Sequence, residues 1–403
     1  MLSLSEIEAA RDRIDDVVRE TPLEYSHTFS EWTDAELYLK LESFQRTGAF
    51  KIRGALNRIR TLTDEEAAAG VVTASAGNHA QGVALAATRA GVDSTIVMPK
   101  HAPISKVKAT EWYGGRVELW GADYDEAQER AHEIEREEGR TYVHAFDDER
   151  VIAGQGTIGL EILEQCPELD TVVVPIGGGG LIAGIATAIK HTRPEVRVVG
   201  VEAAGASSAV DSLQTGQLHR LDAVETIADG IATRSIGETP FAIMREHVDE
   251  IVTVTDEEIA LALVAVLERT KALVEGAGAV PVAAVLSERF EYDPGETIVP
   301  ALCGGNIDMN VLTTIIMRGL VQQGRYLKIR TVLKDRPGAL QALIDILADQ
   351  QANIYAIRHD RTSREIGVSD AEVELDLETR GDDHVDELLG TLRSHGYEVD
   401  VLV

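Results

Sequence analysis

Basic residues are scarce in this chain. Its 38 lysines and arginines face 68 aspartates and glutamates, which leaves a formal charge of -30 at neutral pH. No basic stripe is available to meet phosphates, so nucleic acid is not expected as a partner. Cysteine occurs only twice, as Cys166 and Cys303, far apart and without CxxC spacing. That argues against a disulfide framework or a structural zinc site and for a reducing cytoplasm. No run of 18 apolar residues occurs, so no transmembrane helix and no membrane partner are expected. The N-terminal MLSLSEIEAARDRIDD turns acidic and helical at once, without a signal-peptide pattern.

The negative charge is spread evenly. The last 79 residues, from Arg325, hold 16 acids and 10 bases for a net -6, and the preceding 324 carry -24. An acidic tail or a localised docking patch is therefore excluded. A uniform acidic coat suits a cytoplasm of high ionic strength, where at about 1 M salt the Debye length is only ~3 Å and self-repulsion is screened. We read a halophilic source.

What is present is a rhythm of short apolar strands and helices. Ser5–Arg19 reads as an amphipathic helix with Ser5 as its cap, followed by a strand at Leu37–Leu41 and a helix at Gly54–Leu62. Strands at Val71–Ala74, Ser94–Met98 and Val117–Leu119 alternate with helices at Gly77–Arg89 and Asp125–Glu138. Thr141–Phe146 reads as a further strand and Gly156–Cys166 as a helix. A second series follows, with strands Thr171–Pro175, Val196–Val201 and Ile298–Leu302 and helices Leu181–Lys190 and Asp256–Leu273. Between them, 203–236 reads as irregular. This is an α/β pattern of parallel sheets covered on both faces, in two lobes with a cleft between. After a boundary at Gln322–Arg325 the order becomes βαββαβ, a ferredoxin-like sandwich.

Three stretches carry chemistry. In Thr47–Ala55, TGAFKIRGA, Lys51 lies between Phe50 and Ile52 and is one of only nine lysines. Apolar neighbours strip its hydration, lower its pKa and make the amine a better nucleophile towards carbonyls. Thr73–Gln81, TASAGNHAQ, joins a strand end to a helix start, where small residues let backbone amides approach a carboxylate. Asn78 there can offer an amide to an oxygen on a flat ring, whereas His79 taken alone reads as a cap or core histidine. Pro175–Gly184, PIGGGGLIAG, sets four glycines between a buried strand and an apolar helix. That is a phosphate cradle of bare amides and a helix dipole, without dinucleotide GxGxxG spacing and without a Walker lysine. A reactive lysine, a ring-contacting asparagine and a metal-free phosphate cradle specify pyridoxal phosphate.

On these motifs, together with IADG, EGAGA and GGNID in the same order over about 320 residues, the chain resembles the fold-type II, tryptophan synthase β-like pyridoxal-phosphate enzymes. Within them it is similar to the threonine dehydratase and serine racemase branch. The resemblance implies a catalytic domain over 1–321, its smaller lobe (about 48–145) inserted in the larger. The C-terminal 325–403, with its DRPG turn and Ala352-Asn353-Ile354, resembles an amino-acid-sensing ACT domain. By the same resemblance Lys51 bonds the cofactor and moves the substrate's α-proton. Phe50, Asn78, Gly177, Gly178, Gly179, Gly180, Leu181 and Cys303 complete the cofactor site, with Cys303 beside the pyridine nitrogen. Ser75, Ala76, Gly77, Asn78 and His79 form the substrate-carboxylate site. Racemases of the family place a serine directly before GNH; here Ala76 stands there, and Ser75 is expected to point elsewhere, into the carboxylate site. Where those racemases hold a divalent metal, Glu202 and Ala206 match but Ser208 replaces an acid, so no metal is expected. The activity implied is β-elimination from L-threonine to 2-oxobutanoate and ammonia. L-serine dehydration, serine racemisation and hydroxyaspartate cleavage are the alternatives within the branch, and an amino-acid-binding regulator with an inert core is the alternative outside it. An amino-acid effector at the ACT domain and a homo-oligomer, dimer or tetramer, are the further partners expected.

Overall fold

The computed structural model describes residues 2–362 and 366–403. The chain divides into two compact units, Met1–Leu312 and Thr313–Val403. The division falls inside the helix Met309–Gln322, ahead of the boundary expected at Gln322–Arg325.

The first unit holds two sheets. The larger has six strands in the spatial order Leu23–Tyr25, Glu36–Leu41, Thr297–Leu302, Thr171–Pro175, Arg197–Ala203 and Glu250–Val254. Only Leu23–Tyr25 pairs antiparallel; the other ladders are parallel. The smaller is fully parallel, in the order Arg116–Leu119, Ser94–Met98, Val71–Ala74 and Thr141–Tyr142. All its strands fall between the second and third sequential strands of the large sheet, so this lobe is an insertion. Every residue of Val71–Ala74, Ser94–Met98, Thr171–Pro175 and Thr297–Leu302 is buried, as expected for strands with helices on both faces.

An ion network lies under the start of the helix Ile52–Ile59. Arg53, 1% exposed, binds the carboxylates of Glu42 and Glu161, and the equally buried Lys40 donates to Glu161 at 2.6 Å. Two cations and two anions thus neutralise one another out of water. Removing one member would strand a buried charge at a cost of about 3–5 kcal/mol. The same helix meets the helix Glu149–Gln165 through paired glycines. A Cβ on Gly54 would lie 2.6 Å from the Val151 carbonyl oxygen, and one on Gly154 would lie 2.6 Å from that of Arg53.

The second unit is a four-stranded antiparallel sheet in the order Asn353–Asp360, Asp370–Glu378, Tyr326–Lys334 and Val399–Val401. Helices Ala339–Asp349 and Asp382–Ser394 complete its βαββαβ chain order. Strict alternation in Tyr326–Lys334 and Asp370–Glu378 puts Leu327, Ile329, Leu333, Val373, Leu375 and Leu377 in one apolar cluster with the helices.

Several elements differ from the sequence reading. The first helix runs Leu4–Ile14, and its cap is Ser3, in a reciprocal capping box with Glu6, not Ser5. The expected strand Thr141–Phe146 pairs only at Thr141–Tyr142, after which the chain leaves the sheet to line a cavity. The expected helix Gly156–Cys166 begins at Glu149, where Asp148 accepts from Arg150 and Val151. The stretch 203–236 contains the helix Ser208–Thr215.

Candidate active site

Lys51 immediately precedes the helix Ile52–Ile59 and is already helical, with φ -55° and ψ -26°. The backbone before it is tied to the end of the strand Thr297–Leu302: Phe50 N–H donates to the Cys303 carbonyl at 3.1 Å, and Ala49 pairs with Gly304. On the other side Gly82 allows close passage of the helix Asn78–Ala90. A Cβ there would sit 3.0 Å from the Lys51 carbonyl carbon. The Lys51 Nζ donates to the Ala145 carbonyl oxygen at 3.0 Å and lies 5.1 Å from the Phe50 ring centroid. Burial pulls its pKa down to about 8, while Cys303 and Glu275 oppose the fall.

These groups open onto a cavity of about 710 Å³. Phe50, Lys51, Asn78, Gly177, Gly178, Gly179, Gly180, Leu181 and Cys303 all line it, as do Ser75, Gly77 and His79. Ala76 does not. It packs against Ala80, Ala84, Ile96 and Met98. Ser75, the residue before it, faces the cavity, and its Oγ accepts from Gly77 N–H at 3.2 Å.

Two helix N-termini meet at the cavity. Gly77 precedes the helix Asn78–Ala90 and Gly179 precedes Gly180–Thr192, and no side chain caps either. Their first amides are left for another acceptor, an arrangement that suits anions. Gly179 has φ +88°, and a Cβ on Gly178 would lie 2.2 Å from Cγ of Phe146. Glycine is required at both positions, by conformation at one and by contact at the other.

His79 is 3% exposed, and its Nε2 is 2.9 Å from the Val143 carbonyl oxygen. Burial, with the Lys51 charge next in weight, lowers its pKa to about 3, so it is a neutral imidazole with Nε2 as donor. Cys303 is 3% exposed, and burial pushes its thiol well above the usual range. It stays a neutral thiol.

Glu275, His144 and Arg234 are among the cavity residues that sequence reasoning missed. Glu275 accepts from Asn78 Nδ2 at 2.6 Å. His144 turns its Nδ1 to the N–H groups of Phe146 and Asp147, at 3.2 and 2.7 Å. Arg234 reaches Asp125 at 3.4 Å across the cavity mouth. Glu275 opens the EGAGA motif, so its signal was visible in the sequence; those of His144 and Arg234 depend on tertiary contacts. Away from the cavity, Glu202 is fully buried and accepts from Ala209 and Val210 N–H at 2.9 and 3.0 Å, with burial raising its pKa to about 7.

A family profile described as Pyridoxal-phosphate dependent enzyme matches residues 14–304. The chain belongs to that family. This pyridoxal-phosphate enzyme is similar, at 52% identity over 402 residues and the full length of both chains, to the L-threonine ammonia-lyase of Geobacter sulfurreducens. Its fold is similar to the processed form of threonine deaminase isoform 2 from Solanum lycopersicum, with TM-score 0.76 and 41% identity over 78% of this chain and 92% of that one. Maize serine racemase is similar too, at TM-score 0.75 and 37% identity, covering 80% and 98%. The enzyme's cofactor is pyridoxal phosphate, and the cavity fits it. It offers an amine of lowered pKa for the aldehyde, an uncapped helix N-terminus behind four glycines for the phosphate, and a neutral thiol.

Proposed function

We propose that this enzyme is an L-threonine ammonia-lyase that releases 2-oxobutanoate and ammonia, with L-serine as a poorer substrate. The observation that carries the reading is the Lys51 amine, held at the cavity wall with a pKa near 8 beside the neutral Cys303. Full-length similarity to an L-threonine ammonia-lyase supports the substrate.

In this reading the glycine loop Gly177–Gly180 and Leu181 would hold the phosphate, Asn78 would meet the ring's phenolic oxygen, and Phe50 and Cys303 would complete the cofactor site, Cys303 beside the pyridine nitrogen. Ser75, Gly77 and the first amides of the helix Asn78–Ala90 hold the substrate carboxylate. The bound cofactor supplies a sink for the electrons released at the substrate's α-carbon. Lys51 Nζ takes the α-proton. Because Cys303 keeps its own proton, it leaves the pyridine nitrogen largely unprotonated and the sink weak, which favours prompt loss of a β-substituent over return of the proton. The Cβ–O bond then breaks, and the oxygen leaves with its electron pair and a proton as water. That leaves a Cα=Cβ enamine; released and protonated at Cβ, it becomes an imine whose hydrolysis takes up one water and frees ammonia and the keto acid.

The second unit serves as an ACT regulatory domain, its first residue near 325, that binds an amino acid and works between copies of the chain in a cytoplasmic homo-oligomer. Such control fits a place in isoleucine biosynthesis or threonine catabolism. The evenly acidic surface fits a halophilic setting. Keto-acid formation from L-threonine and from L-serine tests the substrate assignment. Turnover of threonine with the higher kcat/KM supports it, and a clear preference for serine overturns it.

A further inference from the structure

Four of the sequence motifs meet at one side chain. Glu275 stands at the head of the helix Gly276–Leu286 but does not cap it; its carboxylate turns to Asn78, whose Nδ2 donates to Oε1 at 2.6 Å. The space around that oxygen is shaped by glycines from two other motifs. A Cβ on Gly304, of CGGN, would lie 2.6 Å from Oε1, and one on Gly230, of IADG, would lie 3.1 Å away. The backbone is fixed as well, since Glu275 N–H donates to the Gly304 carbonyl at 3.0 Å. Glu275 is 9% exposed, and its remaining surface faces the cavity shared with Lys51 and Cys303.

An asparagine amide presents nearly the same shape after a half-turn, and its hydrogen-bond partners decide which face is which. A carboxyl oxygen that accepts from Nδ2 pins the amide, leaving one N–H and the Oδ1 to face elsewhere. We propose that Glu275 is a positioning residue for the cofactor: it fixes the Asn78 amide so that a donor points at the phenolic oxygen of the pyridoxal ring. The convergence of SAGNH, IADG, EGAGA and CGGN on this contact has its explanation here. Burial, which raises the Glu275 pKa, makes loss of the contact more costly, because no water replaces the partner.

The inference rests on the assignment of Asn78 to the ring oxygen, so the test separates the two. Visible absorbance of the holoenzyme is recorded from pH 6 to 10 for wild type, Asn78→Ala, Glu275→Ala, Glu275→Gln and the double alanine variant. The phenolic oxygen is part of the chromophore, so a lost donor moves its absorbance maximum and titration. Glu275→Ala should reproduce the spectral change of Asn78→Ala and speed cofactor loss on dialysis about tenfold, the scale of one hydrogen bond. Glu275→Gln, whose amide oxygen still accepts, should restore the wild-type spectrum. The double variant should differ little from Asn78→Ala, since both changes act through one contact. If Glu275→Ala lowers folded yield, Glu275→Leu fills the same volume without accepting and is read the same way. A changed Asn78→Ala spectrum beside an unchanged Glu275→Ala spectrum overturns the inference alone. An unchanged Asn78→Ala spectrum overturns both it and the Asn78 assignment.

Discussion

Lys51 Nζ and the Ala145 carbonyl oxygen stand 3.0 Å apart, a contact made across 94 residues by the stretch where the strand Thr141–Tyr142 leaves its sheet. The amine is thereby held at the cavity wall while burial brings its pKa to about 8. Protonated lysine cannot attack an aldehyde, so the sign is fixed: capture of pyridoxal phosphate by the cofactor-free protein should be slow below pH 8 and level off above it. Stopped-flow absorbance between pH 6.5 and 10 reads this directly. A midpoint near the ordinary lysine value of about 10.4 would contradict the role of burial.

Racemisation needs an acid–base group on each face of the planar carbanion. Lys51 serves one face, and Ala76, which has no proton to exchange, packs away from the cavity. Elimination from L-serine and L-threonine should therefore give no appreciable D-isomer by chiral chromatography. The structure brings the Ser75 side chain to the cavity wall, so Ser75→Ala is the discriminating variant. D-isomer formed at a rate comparable to keto acid in wild type, and lost in Ser75→Ala, would make Ser75 the second base and the protein a racemase.

Truncation before Arg325 should leave turnover but remove any response to amino acids. The second unit has its own apolar cluster, built from the helices Ala339–Asp349 and Asp382–Ser394 and its sheet. Initial rates with and without isoleucine, valine and added threonine test it. A full-length enzyme indifferent to all three would remove those ligands from the regulatory account.

Much of this was legible in the sequence because it is local. Glycine spacing between TVVVP and LIAGIA predicts a loop ahead of a helix, which the structure has at the cavity, and alternation in Asp370–Glu378 predicts the strand found there. What was missed is non-local. Arg53, two residues after Lys51, has no role in the sequence reading, yet it is buried against carboxylates from positions 42 and 161. Glu275 enters the sequence reading only as the head of EGAGA, and its partner Asn78 lies 197 residues away. Ser75 and Ala76 were both expected in the substrate site, but the turn after the strand Val71–Ala74 brings only Ser75 of the two to the cavity. The short helices His27–Thr33, Asp64–Ala69 and Ile104–Trp112 bury too few side chains to leave a periodic signal.

High salt should stabilise the fold, since screening relieves repulsion within a chain of net charge -30. Tm should climb steadily from low salt to multimolar potassium chloride. A Tm that stays flat or falls over that range would count against a halophilic setting.

The central claim is that Lys51 both carries the cofactor and moves the α-proton, and Lys51→Ala tests it most directly. The visible absorbance of the purified variant and its keto-acid production from L-threonine are measured side by side with wild type. The account predicts loss of the covalently bound chromophore and of turnover, by at least a thousandfold, with the fold intact by circular dichroism; among the described residues no other lysine lines the cavity. A Lys51→Ala protein that still releases 2-oxobutanoate from L-threonine at a substantial rate would contradict it.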